Sequence, residues 1–199
     1  MMIDFEVLQF LKAAGSTRCG RPLNILEFGS GYGTHILIDM GFKVVSIEED
    51  PEWAFKYHDD YILCPLDEKT GWYDTKVLTR EVLDSFLPDD AICWDVVIID
   101  GPTQNNREKF LENAHLIRGM GYSLVIVDDI NRPEEKKIFE AVCTSLLEFR
   151  KQIPLKTFVG VYGLESLPTE KQMERYNAFL SIKTCAFGKS DSHTAAVIS

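Results

Sequence analysis

No stretch of this sequence approaches the roughly 20 consecutive apolar residues that span a bilayer, so a transmembrane helix is not expected. Basic charge is scarce: 21 Lys and Arg stand against 31 Asp and Glu, and the formal net charge is −10. The basic residues are scattered, with Lys136–Lys137 the longest cluster. Such a balance repels phosphate backbones and argues against a nucleic-acid partner. No G-x-x-x-x-G-K-[ST] spacing occurs, which excludes a Walker-type phosphate loop. The five cysteines (Cys19, Cys64, Cys93, Cys143, Cys185) are odd in number, far apart and without metal-ligand pairing. They read as free thiols in a reducing cytoplasm. The opening "MMIDFEVLQFLKAAG" carries acids where a signal peptide carries Lys or Arg, and its apolar face is short. No repeat and no low-complexity segment is present.

What the chain does have is an ordinary globular composition, 45% hydrophobic and 26% charged over 199 residues, enough for one domain with a full core. Strand-like and helix-like patterns alternate along it. An amphipathic helix is expected over residues 3–14, then a strand at Asn24–Phe28, a glycine turn and a helix from about Thr34 to Met40. "FKVVSIEED" reads as a second strand, Pro51–His58 as a short helix and "YILCPL" as a third strand. A loop, "DEKTGWYDT", leads to a helix at Val77–Phe86. "WDVVIID" is the fourth strand, "NREKFLENAHLIR" a helix and "YSLVIVDD" the fifth strand. A long helix, "PEEKKIFEAVCTSLLEFR", carries Pro133 near its first turn. Two further strand-like runs, "KTFVGVY" and "NAFLSIKTCAF", precede a polar tail from Gly188.

Uninterrupted apolar strands alternating with helices predict an α/β, doubly wound, mostly parallel sheet covered on both faces. Ligands of such sheets sit beyond the carboxyl ends of the strands. Nearly every strand here ends in acid: Glu27, Glu48 with Glu49 and Asp50, Asp67, Asp100, and Asp128 with Asp129. Desolvating a carboxylate at a buried strand end is costly unless it is paired or bound.

The turn "NILEFGSGYGT" brings the first strand to its glycines, residues 29, 31 and 33. A dinucleotide fingerprint, G-x-G-x-x-G, needs its third glycine where Thr34 stands. Glu27, two residues before the first glycine, would repel a pyrophosphate but accept hydrogen bonds from an ammonium group. Glu48, about 20 residues after the turn, occupies the position from which an acid accepts ribose hydroxyls. A ligand with a ribose and a cationic amino-acid end, such as S-adenosylmethionine, suits both acids.

"ILEFGSGYGT", followed by "VVSIEED" and "WDVVIID", resembles a class I S-adenosylmethionine-dependent methyltransferase over roughly residues 22–187. The resemblance implies a Rossmann-like sheet of seven strands whose last strand inserts antiparallel between the fifth and sixth. It implies one domain over 1–199, with a lead-in at 1–21, a core at 22–187 and the tail at 188–199. By position, Glu27, Gly29 and Gly31 would line the methionine end of the cofactor, Glu48 would hold the ribose, and Asp67 would meet the adenine amino group.

Asp100 ends the fourth strand, and Asp128 and Asp129 end the fifth. Like charges on adjacent strand ends are unfavourable unless a proton or cation lies between them, and hard oxygen ligands suit Mg²⁺. "GYSLVIVDD" resembles the fifth-strand signature of metal-dependent O-methyltransferases acting on sugars and catechols. That resemblance implies Asp100, Asp128 and Asp129 as metal ligands, with Asp100 in the catalytic site, and methyl transfer to a hydroxyl oxygen of a small molecule or sugar. The sequence departs from the catechol enzymes at Thr103, where they carry a lysine, and no other general base stands out. His35 and His58 read as structural. Arg107 and Arg132, in the loops after the fourth and fifth strands, are candidates to recognise an anionic group on the acceptor, or else pair with acids of the chain. Two alternatives stay open: a non-catalytic module that binds the cofactor or a partner, and a nicotinamide-dependent oxidoreductase.

Overall fold

A computed structural model of the protein describes residues 5–17, 21–88, 91, 93–113, 116, 124–130, 132–145, 150–153 and 160–164. Its elements are α1 (Phe5–Thr17), β1 (Asn24–Phe28), α2 (Tyr32–Asp39), β2 (Lys43–Glu48), β3 (Tyr61–Leu63), α3 (Arg80–Ser85) and β4 (Val96–Ile99), then a 3₁₀ segment (Gln104–Lys109), α4 (Phe110–Asn113), β5 (Leu124–Val127), α5 (Pro133–Ser145), β6 (Arg150–Ile153) and β7 (Gly160–Leu164). The sheet order is β3-β2-β1-β4-β5-β7-β6. The first five strands pair in parallel, with Leu26 opposite both Val45 and Val97, and Ile99 opposite Val127. β7 runs antiparallel to both β5 and β6.

The four central parallel strands are apolar on both faces because helices and loops cover both sides. Leu26, Phe28, Val45, Ile47, Val97, Ile99, Val125 and Val127 point into one cluster, with Trp72, Tyr73, Trp94 and Phe110. Ile25, Val44, Val96, Ile98, Leu124 and Ile126 point to the other, with Val7, Phe10, Leu11 and Leu37. The period-2 alternation puts Glu27 and Ser46 on this second face, and the register makes them direct neighbours across β1 and β2. Both are fully buried.

Several elements differ from the sequence reading. Pro51–Phe55 forms turns rather than a helix, and Phe55 takes a positive φ of 61°, outside the helical region. The helix after the fourth strand begins as the 3₁₀ segment and becomes α-helical only at Phe110. α3 starts at Arg80 rather than Val77 because Thr79 caps it, its hydroxyl accepting from Val82 N at 3.3 Å. β6 lies in "RKQI", which carries no apolar run, and β7 covers the end of "KTFVGVY". A strand at the sheet edge needs one apolar face at most, so its pattern is weak. "NAFLSIKTCAF" and the tail lie outside the described residues. Among the described residues, no helix is long and apolar enough to cross a membrane. Cys64 and Cys93 are free thiols, and burial pushes Cys64 up to about 12.

Candidate functional site

Hydrogen bonds continue past the ends of the parallel strands and fix the residues that follow. Gly29 N donates to Ile47 O at 2.9 Å, Asp100 N to Phe28 O at 2.9 Å, Asp128 N to Ile99 O at 3.2 Å and Cys64 N to Glu48 O at 2.8 Å. The glycine turn, Glu48, Asp100 and Asp128 are therefore set along one edge of the sheet.

Glu27 lies beneath the turn with no exposed surface. Its Oε2 accepts from Thr34 Oγ1 and from Ser46 Oγ, each at 2.8 Å. Thr34 Oγ1 in turn accepts from Gly31 N at 3.0 Å, so the hydroxyl that replaces a third fingerprint glycine ties the turn to the buried acid. Ser46 Oγ also lies 3.1 Å from His58 Nε2. Among the described residues, Oε1 of Glu27 has no hydrogen-bond partner. Desolvation raises this carboxyl to about 8 against the opposing hydroxyl bonds, so it holds a proton at neutral pH.

The two glycines of the turn play different parts. Gly29 has φ +82°, and a Cβ there would stand 2.9 Å from Gly101 N and 3.0 Å from the carbonyl of Asp100. The missing side chain lets the chain pack on itself. Gly31 is extended, with φ 179°, a conformation open to any residue.

Glu48 is buried, and both of its oxygens are engaged. Oε2 accepts from Ser30 N at 2.8 Å and Ser30 Oγ at 2.6 Å, and Oε1 from Asp50 N at 3.1 Å. The acid thus braces the glycine turn from β2. Its neighbour Glu49 accepts from Thr103 N at 2.7 Å, joining this edge to the loop after β4. Asp67 is exposed and closes its own loop, with Oδ1 accepting from Lys69 N at 3.0 Å and Thr70 N at 2.9 Å. Those bonds hold its carboxyl below the usual range. Trp72 and Tyr73, beside that loop, are buried against Phe28 and Phe110 as core residues.

Asp100, Asp128 and Asp129 come together: one oxygen from each lies within 4.8 Å of the others. Two arginines enter this cluster. Arg107, with 7% of its side chain exposed, reaches Asp100 Oδ1 at 2.8 Å, Asp129 Oδ2 at 3.8 Å and Glu135 Oε1 at 3.3 Å. It also donates to the Asp100 carbonyl at 2.6 Å. Arg132 reaches Asp129 Oδ2 at 2.9 Å and Glu135 Oε1 at 3.6 Å. Both arginines face acids of their own chain, so an anionic acceptor would have to compete for them. Burial raises Asp100, with Arg107 opposing. Burial also raises Asp128 to about 7, reinforced by the charges of Asp100 and Asp129. Asp129 takes φ 56°, which turns the chain out of β5 toward α5.

Sequence reasoning missed four residues of this arrangement: Ser30, Thr34, Ser46 and Glu135. Thr34 was legible as a hydroxyl three residues past Gly31, the spacing of a capping box. Glu135, in the first turn of α5, reads as an ordinary dipole-favoured acid. Only the packing shows that it is fully buried beside two arginines.

No family model matches the chain, and no curated protein does either. Among solved structures, human methyltransferase-like protein 13 in complex with SAH aligns over 94% of this chain and 93% of its own, at 12% identity and TM-score 0.48. Monomeric WbdD aligns over 79% of this chain at 14% identity and TM-score 0.46, and the alignment spans 39% of that longer protein. The N-methyltransferase NodS from Bradyrhizobium japonicum WM9, in complex with S-adenosyl-L-homocysteine, aligns over 80% and 85% of the two chains at 15% identity and TM-score 0.37. Likenesses this distant carry no argument about chemistry.

Proposed function

We propose that this chain binds S-adenosylmethionine across the glycine turn and transfers its methyl group to a hydroxyl oxygen of a small molecule or sugar, in the cytoplasm. The observation that carries this reading is Glu27: a buried carboxyl under Gly29–Gly31 whose Oε1 has no partner among the described residues. An ammonium group donated to that oxygen would satisfy it and offset the desolvation that keeps it protonated. Glu48, one strand away and already bonded to Ser30 and Asp50, would turn toward the ribose hydroxyls. Asp67 would reach the adenine only by giving up bonds within its loop.

The carboxylate cluster suits a divalent cation on charge. Asp100, Asp128 and Asp129 each offer a carboxylate oxygen within 4.8 Å of the others, and Arg107 and Arg132 are shared among Asp100, Asp129 and Glu135. Asp100, Asp128 and Asp129 would hold Mg²⁺ through hard oxygen donors. When bound, the ion would supply a chelating centre for two acceptor oxygens and make one hydroxyl more acidic. The chain's own contribution is positional. Arg107 anchors Asp100 by side chain and carbonyl, while Glu49 anchors the following loop through Thr103 N. A near-attack arrangement depends on such anchoring.

The test is a direct titration. S-adenosylhomocysteine should bind and NADH should not, and methyl transfer from labelled S-adenosylmethionine to a panel of sugars and diols should require Mg²⁺. Cofactor binding with no transfer to any acceptor would favour the non-catalytic module. Preference for NADH would favour an oxidoreductase.

A further inference from the structure

Beside the glycine turn lies an exposed aromatic surface that the proposed reaction does not use. Tyr32, 57% exposed, meets His35 edge-on at 6.3 Å between ring centroids. His35 stacks on Tyr57 at 5.9 Å, and Tyr57 leans on Trp53, 39% exposed, at 6.5 Å. The four rings form one continuous strip joining the start of α2 to the loop after β2. Lys56 lays its ammonium 3.8 Å from the Trp53 ring centroid, so a cation of the chain itself already uses this face.

The charge around the strip is concentrated. In the chain, Asp39 lies four residues after His35, Glu52 directly precedes Trp53, and Asp59 and Asp60 follow Tyr57 by two and three residues, while Lys43 and Lys56 are the only lysines between residues 35 and 61. Asp39, Glu52, Asp59 and Asp60 are exposed. Aromatic faces ringed by acids attract organic cations: the ring quadrupole and the carboxylates act on the same charge, and an ammonium keeps both contacts without deep burial. An apolar partner would leave these acids desolvated and unpaired, and an anionic one would be repelled.

We infer that the strip of Tyr32, His35, Tyr57 and Trp53 is a docking surface for a lysine-rich segment of a partner protein, whose ammonium groups take the place that Lys56 holds over Trp53. The inference does not rest on the cofactor reading: the contacts that define the strip are those of its rings with one another and with Lys56.

Trp53 provides its own reporter. The other two tryptophans, Trp72 and Trp94, are each only 1% exposed, so a surface ligand that quenches fluorescence does so at Trp53. Titrating the full chain with a short lysine–glycine repeat peptide should give a saturable change that fades as salt rises. Tyr57→Ala and the double variant Asp59→Lys/Asp60→Lys should each weaken it about tenfold, the scale of one cation–π contact or a reversed local charge. Lys56→Met, which frees the ring face, should tighten it severalfold. No saturable change, or equal affinity in the charge-reversed variant, would overturn the inference. So would unchanged affinity in Lys56→Met. Spermine binding as tightly as the peptide would overturn the protein partner in favour of a free polyamine. S-adenosylhomocysteine affinity, measured in parallel, separates this outcome from that of the proposed reaction.

Discussion

Gly29 and Gly101 pack main chain against main chain. A Cβ on Gly29 would stand 2.9 Å from Gly101 N, and one on Gly101 would stand 2.6 Å from Gly29 N. The glycine turn and the loop after β4 are thus a single packed unit, and the first glycine serves the fold. Gly29→Ala or Gly101→Ala should destabilise the protein by about 2–3 kcal/mol, through overpacking and, at Gly29, a left-handed φ. Gly31→Val should abolish S-adenosylhomocysteine binding in a protein that still folds. Tight binding retained in a folded Gly31→Val protein would move the cofactor elsewhere.

Glu27 couples pH to stability. Its carboxyl is raised from 4.5 to about 8, so between those values the native state keeps a proton that the unfolded chain has released. The contribution is fully present below the unfolded value and is lost as pH rises through the folded one. Unfolding free energy should therefore fall across that window, on the order of 4 kcal/mol in all. Glu27→Gln should flatten this slope in urea titrations. An ammonium ligand would favour the ionised form, so binding near pH 7 should release a proton, read as a buffer-dependent enthalpy in calorimetry. An unchanged slope in Glu27→Gln would remove Glu27 as the source.

Glu48 holds Ser30 and Asp50 now and the ribose in the proposed complex. Glu48→Ala should weaken S-adenosylhomocysteine by about 2–4 kcal/mol, the loss of hydrogen bonds to a charged acceptor. Ser30→Ala removes one of its present partners and should cost far less in affinity. Equal effects of the two substitutions in calorimetry would mean that Glu48 acts only as a brace for the turn.

The aspartate cluster gives opposite signs for two substitutions. Arg107→Met removes a buried cation from among Asp100, Asp129 and Glu135 and should destabilise by about 3–5 kcal/mol, because the buried Asp100 and Glu135 lose a close guanidinium. Asp128→Asn removes a repelling acid and should raise the melting temperature of the metal-free protein. Millimolar Mg²⁺ should stabilise the wild type by mass action and have little effect on Asp128→Asn. EDTA should abolish methyl transfer. No thermal shift with any divalent ion, and activity indifferent to EDTA, would leave Arg107 and Arg132 as the cluster's resident cations.

Much of the architecture was written locally. β1 could be read at its observed ends, Asn24–Phe28, because a strand buried on both faces is a short apolar run between turn residues. The same rule located β2, β4 and β5, and with them the acids at their carboxyl ends. Edge strand β6, "RKQI", carries no such run, and the 3₁₀ segment before Phe110 has no periodicity that separates it from a helix. What the acids do was decided only by the tertiary structure. Register alone makes Ser46 the neighbour of Glu27, and the pleat turns both to the same buried face. Arg107 and Glu135 lie 28 residues apart and meet only because the segment after β4 packs beside α5. A sequence shows which residues can carry charge, but whether that charge is paired, protonated or open to a ligand depends on the distances and dielectric that packing creates.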